Sequence, residues 1–201
     1  MNKVLRTPLS EAEIRDLRVG ETIYVTGELF TARDEAHRVL LDAAHGGERL
    51  PFRPQDLALF HCGPVVESRD GVWRVTSAGP TTSARMEMFE ADFLDTYSTR
   101  LVIGKGGMGK KTLEALGRVG AVYTHFTGGA GALAARAIRR VPAVYWLEEL
   151  GMPEAVWILE VEAFGPLTVT MDSHGGSLHE VVAARVEANL TAIRAEMSRE
   201  A

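Results

Sequence analysis

Short apolar-rich segments, alternating with polar positions in ETIYVTGELF, predict a series of strands along the chain. β-Branched and aromatic residues are enriched in these segments, as is typical of strands. In chain order the segments are ETIYVTGELF, ALFHCGPVV, VWRVTSAG, LVIG, AVYTHF, AVWILEVEAF and LTVTMDS. SRDG between the second and the third predicts a hairpin turn, and Gly165-Pro166 predicts a turn between the last two.

A helical period of apolar residues separates these strands. Ser10 and Glu13 have the spacing of a capping box and predict a first helix that ends at about Gly20. A second helix is predicted from Thr31 to the glycine pair at 46–47. Further helices are predicted over SARMEMFEADFLDTY, KKTLEALGRVG, GALAARAIRRV and SLHEVVAARVEANLTAIRAEMSRE. The strand-helix rhythm around AVYTHF favours a parallel sheet, and the whole pattern predicts one mixed α/β domain over residues 1–201.

The last predicted helix carries an apolar stripe. Its members recur at the spacing of helical turns, and they are Leu178, Val181, Val182, Val186, Leu190 and Ile193. Such a stripe predicts either packing against the core or a surface that a partner subunit covers.

Composition excludes several classes of protein. Hydrophobic residues make up 46% and charged residues 24% of the chain, as in a globular protein rather than a disordered or fibrous one. Lys and Arg number 22 against 27 Asp and Glu, and the net charge of −5 argues against a nucleic-acid partner. The N-terminus lacks the apolar run of a signal peptide, and no segment reaches the ~20 apolar residues that cross a membrane. We therefore expect no membrane partner and a cytoplasmic location.

The chain has a single cysteine, Cys62. A lone thiol cannot form an intramolecular disulfide, which suits a reducing compartment. An iron-sulfur cluster is held by several thiolates, so this chain by itself is not expected to bind one.

Three glycine-containing turns follow predicted strands, and they could converge on one site. They are AGPTTSAR, IGKGGMGKKT and FTGGAGA. Backbone amides at such turns bind anions where a strand passes into a helix. Arg85 ends the first turn, Lys105 lies within the second, and Arg33 lies at the start of the second predicted helix. The simpler interpretation is that the glycines only permit tight turns.

The second turn nearly matches a phosphate-binding P-loop over residues 104–112. Gly104, Gly109 and Lys110 fit the pattern G-x-x-x-x-G-K. The hydroxyl residue that ligates magnesium should come next, but that position is Lys111, and Thr112 comes one residue late. A P-loop-like nucleotide-binding module is therefore the alternative hypothesis for function.

Several segments together resemble the β subunit, or C-terminal domain, of class I fumarate hydratase and L(+)-tartrate dehydratase. They are VGETIYVTGELFTARDEAH, HCGPVV, SAGPTTSARM, IGKGGMG, ELGMPEAVW and FGPLTVTMDSHG. The resemblance implies a swivelling β/β/α domain with a mixed sheet and flanking helices. It implies reversible dehydration of a small 2-hydroxy dicarboxylate, either malate to fumarate or L-tartrate to oxaloacetate. It also implies an α subunit that carries a four-iron four-sulfur cluster, in an α2β2 heterotetramer.

The resemblance assigns substrate binding to residues of three motifs. Arginine binds a carboxylate through two parallel hydrogen bonds, and lysine supplies a movable point charge. The assigned residues are Arg33 of TARD, then Thr81, Thr82, Ser83 and Arg85 of GPTTSAR, and Lys105 of IGKGG.

For proton transfer the resemblance suggests Thr81 and His37. A threonine hydroxyl has a high intrinsic pKa, so it acts as a base only if neighbouring cations or a relay lower that pKa. His37 lies four residues after Arg33 and therefore on the same helical face. Both residues stay open as the proton-transfer group.

The other polar candidates predict structure rather than chemistry. His61 and Cys62 lie in an apolar segment, which favours a buried structural role. Asp172 and His174 precede a glycine pair and indicate a turn, because two ligands without a third do not make a metal site. No metal is expected on this chain. Fumarate, tartrate and a methylated dicarboxylate all stay open as substrates, as does the oligomeric state of the isolated chain.

Overall fold

The computed structural model describes residues 3–200. The strands are β1 (Lys3–Arg6), β2 (Thr22–Thr31), β3 (Ala58–Phe60), β4 (Val65–Arg69), β5 (Val72–Ser77), β6 (Leu101–Gly104), β7 (Val122–His125), β8 (Ile138–Tyr145) and β9 (Val156–Met171). The helices are α1 (Glu11–Arg15), α2 (Asp34–His45), α3 (Glu87–Tyr97), α4 (Lys110–Val119), α5 (Gly131–Ala137), α6 (Leu147–Leu150) and α7 (Leu178–Glu200). Short 3-10 turns cover Pro54–Asp56 and Ser83–Met86.

Seven strands form one mixed sheet in the order β1-β2-β3-β6-β7-β9-β8. Neighbours from β1 to β7 are parallel, whereas β9 runs antiparallel to β7, β8 and β2. Because β9 pairs with both β7 and β2, the strands β2, β3, β6, β7 and β9 close into a ring. Strands β4 and β5 form a separate hairpin. The predicted mixed α/β class with flanking helices is confirmed.

The core lies on both faces of the central strands. Leu101 and Ile103 of β6 belong to one buried cluster, and Val102 between them belongs to another, together with Leu40 of α2 and Phe93 of α3. Successive side chains of a strand point to opposite faces, and a strand covered on both sides needs a continuous apolar run. This accounts for the unbroken sequence LVIG in β6.

The predicted capping box and hairpin turn are both present. The Ser10 hydroxyl accepts the Glu13 N–H, and the Glu13 carboxylate accepts the Ser10 N–H in return. Helix α1 nevertheless ends at Arg15 rather than near Gly20. The hairpin between β4 and β5 turns at residues 70–71, both with positive φ, as a two-residue turn between right-twisted strands requires.

Helix α2 begins at Asp34, three residues later than predicted. Thr31 still belongs to β2, and its hydroxyl donates to the Ala155 carbonyl and accepts the Trp157 N–H. These bonds reach β9 and the residue before it, and they keep Thr31 in the sheet. Arg33 is therefore the residue that precedes the first helical turn.

Three predictions for the apolar segments are wrong. The segment GALAARAIRRV is helical only as far as Ala137, because the β-branched residues that follow pair as β8 with β9. The two last predicted strands are one strand, β9, which passes through the pair 165–166 with a register irregularity instead of a turn. The segment ALFHCGPVV is broken, since β3 ends at Phe60 and β4 begins at Val65.

The apolar stripe of α7 does not pack on the core. Val181, Val182, Val186 and Ile193 are each half-exposed or more, so that part of the prediction is wrong. Coverage by a partner subunit stays a prediction. Within residues 3–200, no helix combines the length and the apolar character that a membrane span requires.

Candidate active site

The carboxyl ends of four parallel strands meet at one edge of the sheet. Arg33 follows β2, His61 follows β3, Lys105 follows β6, and the glycine turn at residues 126–130 follows β7. Ligands of parallel α/β sheets and barrels bind at the carboxyl ends of the strands, because the loops that leave the strands collect there. The edge therefore gathers residues that are far apart in the sequence.

Residues 78–83, the crossing segment, run across this edge. The Ala78 N–H donates to the Gly131 carbonyl over 3.1 Å, and the Thr81 N–H donates to the His61 carbonyl over 2.7 Å. Farther along, the Ser83 N–H donates to the Lys105 carbonyl over 3.0 Å. The crossing segment thus connects the ends of β3 and β6 to the start of α5, and the three glycine-containing turns lie together.

Close approach explains one glycine of these turns. A Cβ at Gly104 would overlap the Ser83 hydroxyl. Gly104 does not have a positive φ, so missing volume rather than unusual backbone conformation is the reason for glycine there. At Gly128 a Cβ would lie 2.8 Å from Lys105 Cδ, and a shift of that flexible side chain relieves the contact.

The cationic side chains at this edge have different partners. Arg33 Nε lies 3.1 Å from a carboxylate oxygen of Glu154, and Arg85 Nη2 donates to Asp34 over 2.5 Å. Lys105 is half-buried, and its ammonium forms no ion pair with the carboxylates that the structure describes. Two acidic residues therefore orient the arginines, whereas Lys105 has no carboxylate partner among the described residues.

The predicted hydroxyl residues and His37 lie at different depths. Thr81 is half-buried and Thr82 is exposed, so both reach the surface at this edge. Ser83 and His37 are fully buried, and their polar side-chain atoms face protein groups. In this arrangement Ser83 and His37 lie behind the open part of the site.

Five buried polar side chains lie together behind the site, four of them joined by hydrogen bonds, and we call the group the buried relay. Its members are His37, His61, Ser83, Glu90 and Tyr123. Glu90 Oε2 lies 2.9 Å from His61 Nε2 and 3.4 Å from His37 Nε2. Ser83 Oγ lies 2.9 Å from His61 Nδ1 and accepts the Tyr123 O–H over 2.9 Å.

Burial and charge set the protonation of this relay. Burial acts to raise the pKa of Glu90, but His61 and His37 outweigh it and bring that pKa down to about 2. Burial lowers the pKa of His61 in spite of the neighbouring Glu90. Burial also raises the pKa of Tyr123. At neutral pH Glu90 is therefore a carboxylate, His61 is neutral and Tyr123 keeps its proton.

The relay also contains three groups of the kind that bind metals. Ligand atoms of His37, His61 and Glu90 all lie within 4.8 Å of one another. Ligands of a tetrahedral zinc ion at about 2.05 Å are about 3.3 Å apart, whereas 2.9 Å is an ordinary hydrogen-bond distance. We interpret the contact between His61 and Glu90 as a hydrogen bond.

Sequence reasoning missed several of these residues. Glu90 was not singled out, although it lies on the apolar face of α3 with Met86, Phe93 and Leu94. A charged residue on a buried helical face was the signal that could have found it. Glu154 gave no such signal, because its partner Arg33 lies far from it in the sequence.

The N-terminus of α4 is closed by Glu87. Its carboxylate accepts the Gly109 N–H over 2.6 Å and the Thr112 hydroxyl over 2.7 Å. The Gly109 N–H is a donor that a P-loop would offer to phosphate, and here Glu87 occupies it. The Lys110 side chain is 82% exposed and lies 3.9 Å from Glu114. The geometry therefore argues against the nucleotide-binding alternative.

Asp172, His174 and Cys62 are structural, as predicted. The Asp172 carboxylate accepts the N–H groups of Val19, His174 and Gly176 over 2.9–3.0 Å. Burial acts to raise the pKa of Asp172, but these N–H groups bring it below its usual value. Cys62 is buried, and burial raises the pKa of its thiol.

Comparisons with known proteins show similarity over most of the chain. Residues 2–182 match the family described as Fumarase C-terminus. The chain is 42% identical over 178 residues to subunit beta of L(+)-tartrate dehydratase from Escherichia coli (strain K12), with 89% of this chain and 87% of that subunit covered. A Methanocaldococcus jannaschii protein named for the same subunit is 44% identical over 178 residues, covering 89% and 91%.

A protein of Geobacillus stearothermophilus named for class I fumarate hydratase is 44% identical over 177 residues. The alignment covers 88% of this chain but 33% of that protein, so the chain corresponds to one part of it. The family match and the coverage of the two tartrate dehydratase subunits place nearly the whole chain in one family. The chain belongs to the fumarase C-terminus family.

Proposed function

We propose that the chain is the β subunit of a heteromeric hydro-lyase that reversibly dehydrates a small 2-hydroxy dicarboxylate. The observation that carries the proposal is the meeting of Arg33, Arg85 and Lys105 around the carboxyl ends of β2 and β6. A dicarboxylate needs two cationic contacts, and dehydration needs a third as negative charge grows beside the carboxylate. The names of the tartrate dehydratase and fumarate hydratase relatives support this reaction class.

The residues of this chain do not fit an iron-sulfur cluster. Cys62 is its only cysteine, the thiol is buried, and burial raises its pKa, so it offers no thiolate. We therefore propose that a partner α subunit holds the four-iron four-sulfur cluster and that the two chains form an α2β2 heterotetramer. Departure of the hydroxyl group belongs to that partner. A single cysteine also suits the reducing cytoplasm, which we propose as the location.

The chain's own task is to hold the two carboxylates and to move a proton. Arg33 and Arg85 bind carboxylate oxygens through their planar guanidinium groups, and Lys105 adds a point charge beside them. Asp34 and Glu154 orient the two arginines and neutralise part of their charge before substrate arrives. Thr82, exposed next to them, donates a hydrogen bond to the same carboxylates.

Proton transfer fits Thr81 better than His37. Thr81 is half-buried at the open edge, and its backbone N–H is fixed on the His61 carbonyl at 2.7 Å. In its alkoxide form the side-chain oxygen takes the proton from the carbon next to the one that loses the hydroxyl group, and it becomes the neutral hydroxyl. The cations at this edge stabilise the alkoxide form. His37 is fully buried and supports the site from behind.

Anaerobic reconstitution with a partner α subunit that carries the cluster tests the proposal. We expect the two chains together, and neither alone, to dehydrate malate, L-tartrate or a methylated 2-hydroxy dicarboxylate. Formation of the unsaturated acid, or of oxaloacetate in a coupled assay, gives the rate for each substrate. Dehydration by this chain alone would contradict the heteromer, and inactivity of the pair on the whole panel would contradict the reaction.

A further inference from the structure

The hydrogen-bond partners of the Ser83 hydroxyl indicate which tautomer of His61 is present. A hydroxyl has one proton to donate and two lone pairs that accept. The Lys105 N–H donates to Ser83 Oγ over 3.2 Å, and the Tyr123 O–H donates over 2.9 Å, which fills both lone pairs. The Tyr123 O–H has a second acceptor, the Gly106 carbonyl, at the longer distance of 3.5 Å. With Tyr123 on the shorter bond, the Ser83 proton goes to His61 Nδ1 at 2.9 Å, so this nitrogen carries no proton.

Glu90 completes the same pattern from the other side of the ring. With Nδ1 bare, the single proton of neutral His61 is on Nε2 and is donated to Glu90 Oε2 over 2.9 Å. A carboxylate only accepts hydrogen bonds, so it selects this tautomer over the other. All three side chains are fully buried, and water therefore does not compete for these bonds.

The relay reaches the main chain of two substrate-binding residues. Ser83 Oγ accepts the Lys105 N–H, and the Ser83 N–H donates to the Lys105 carbonyl over 3.0 Å. On its other side Glu90 lies 3.4 Å from His37, whose Nδ1–H donates to the Arg33 carbonyl over 2.8 Å. One buried carboxylate thus lies between the ends of β2 and β6, with a hydrogen bond to His61 and a contact to His37 that is not a hydrogen bond.

We infer that Glu90 and His61 are positioning residues: the Glu90 carboxylate holds His61 as the Nε2–H tautomer, and this tautomer fixes, through Ser83, the backbone of Lys105. The role of Lys105 toward substrate rests on the proposed function, but the tautomer and the backbone bond do not. Neither Glu90 nor His61 touches substrate. They act by keeping the lysine where the carboxylate binds.

Two-bond 1H–15N spectra of the full chain with labelled histidine test the tautomer directly. We expect a bare Nδ1 and a protonated Nε2 for His61 at neutral pH. In Glu90→Gln the amide can donate as well as accept, so we expect His61 to shift toward the Nδ1–H form. We also expect exchange of the Lys105 amide proton to accelerate about tenfold. In Ser83→Ala we expect exchange of the Lys105 amide proton to accelerate by a similar factor, while His61 keeps its tautomer.

Asp172→Asn is the matched control, because Asp172 is another buried carboxylate but is bound by backbone N–H groups. We expect it to lower the melting temperature without changing the His61 tautomer. In the reconstituted enzyme, Glu90→Gln should lower kcat/KM at least tenfold, and Asp172→Asn less than twofold. If the wild-type pair has no turnover, the proposed function fails while the spectra still decide the positioning role.

Three results would overturn the inference. The first is a wild-type His61 that carries its proton on Nδ1. The second is a Lys105 amide whose exchange is the same in the wild type and in Ser83→Ala. The third is a stoichiometric metal ion in the purified chain that Glu90→Gln loses, since the two histidines would then be ligands. Should Glu90→Gln fail to fold, the wild-type spectrum and Ser83→Ala still decide.

Discussion

The glycine-rich turn after β6 has two ends with different surroundings. At the first end Lys105 is bonded to Ser83 through both its N–H and its carbonyl. At the other end the Gly109 N–H is used by Glu87, and Lys110 extends into solvent. The first end belongs to the candidate site, and the second is the closed start of a helix.

This difference shows what a glycine pattern can and cannot indicate. Both ends contain glycine followed by lysine, and either could bind an anion if only the sequence is considered. The distinction comes from α3, which supplies the Glu87 carboxylate to one end and the preceding Ser83 to the other. Tertiary neighbours, not the turn itself, decide which end faces a ligand.

Removing the lysine at the first end should have the largest effect. In the reconstituted enzyme we expect Lys105→Ala to nearly abolish turnover, and Lys105→Met to lower kcat/KM about a hundredfold or more. A charged hydrogen bond to substrate is worth about 1.5–3 kcal/mol, and more where it strengthens in the transition state. The melting temperature should change little, because the ammonium has no carboxylate partner among the described residues.

A fall in melting temperature in step with activity would make Lys105 a structural residue. The first end of the turn would then not be a ligand-binding end, and the proposed difference between the two ends would be wrong. Unfolding followed by circular dichroism on each variant provides this check.

Arg85→Met should follow, with a loss of about a hundredfold in kcat/KM. The Arg85 guanidinium is half-exposed and bonded only to Asp34 among the described residues, so it can turn toward a carboxylate when substrate binds. We expect Arg85→Lys to restore only part of the loss, since lysine keeps the charge without the planar fork. Full restoration by lysine would show that the charge alone suffices.

Patterns that depend on neighbouring residues predicted much of the fold. The capping box at Ser10, the two-residue hairpin turn and the helix that begins at Lys110 all follow from local rules. The errors occur where distant strands decide the structure. Ile138 leaves a helical pattern because β9 offers a strand partner, and β9 itself continues past Gly165 because it pairs with β2.

The site could be predicted only for its charged surface residues. Arg33, Arg85 and Lys105 stand in recognisable motifs, and the structure brings these motifs to the same edge. The buried relay could not be derived, because it joins His61 to Glu90 across 29 positions. In the sequence alone, His37 and His61 cannot be told from ordinary core histidines, nor Glu90 from any glutamate of a helix.

Glu87→Gln tests the closed end of the turn. We expect lower stability, by about 1–3 kcal/mol, because a carboxylate that accepts the Gly109 N–H and the Thr112 hydroxyl is replaced by a neutral amide. Turnover should fall less than about fivefold in variants that remain folded. Denaturant unfolding of the wild type and of Glu87→Gln gives the difference in the free energy of unfolding. An unchanged midpoint would mean that Glu87 does not close this helix.

Lys110→Ala should have the smallest effect and compares the two ends most directly. If the turn were a nucleotide cradle, Lys110 would reach the β- and γ-phosphates and its removal would abolish ATP binding. Its exposed side chain and the Glu87 carboxylate at the helix start lead us to expect the opposite. Dicarboxylate turnover should change less than about threefold, and calorimetry with magnesium present should detect no ATP binding to the wild type. Micromolar ATP affinity that disappears with Lys110 would overturn this assignment, and with it the view that the arginines serve a dicarboxylate.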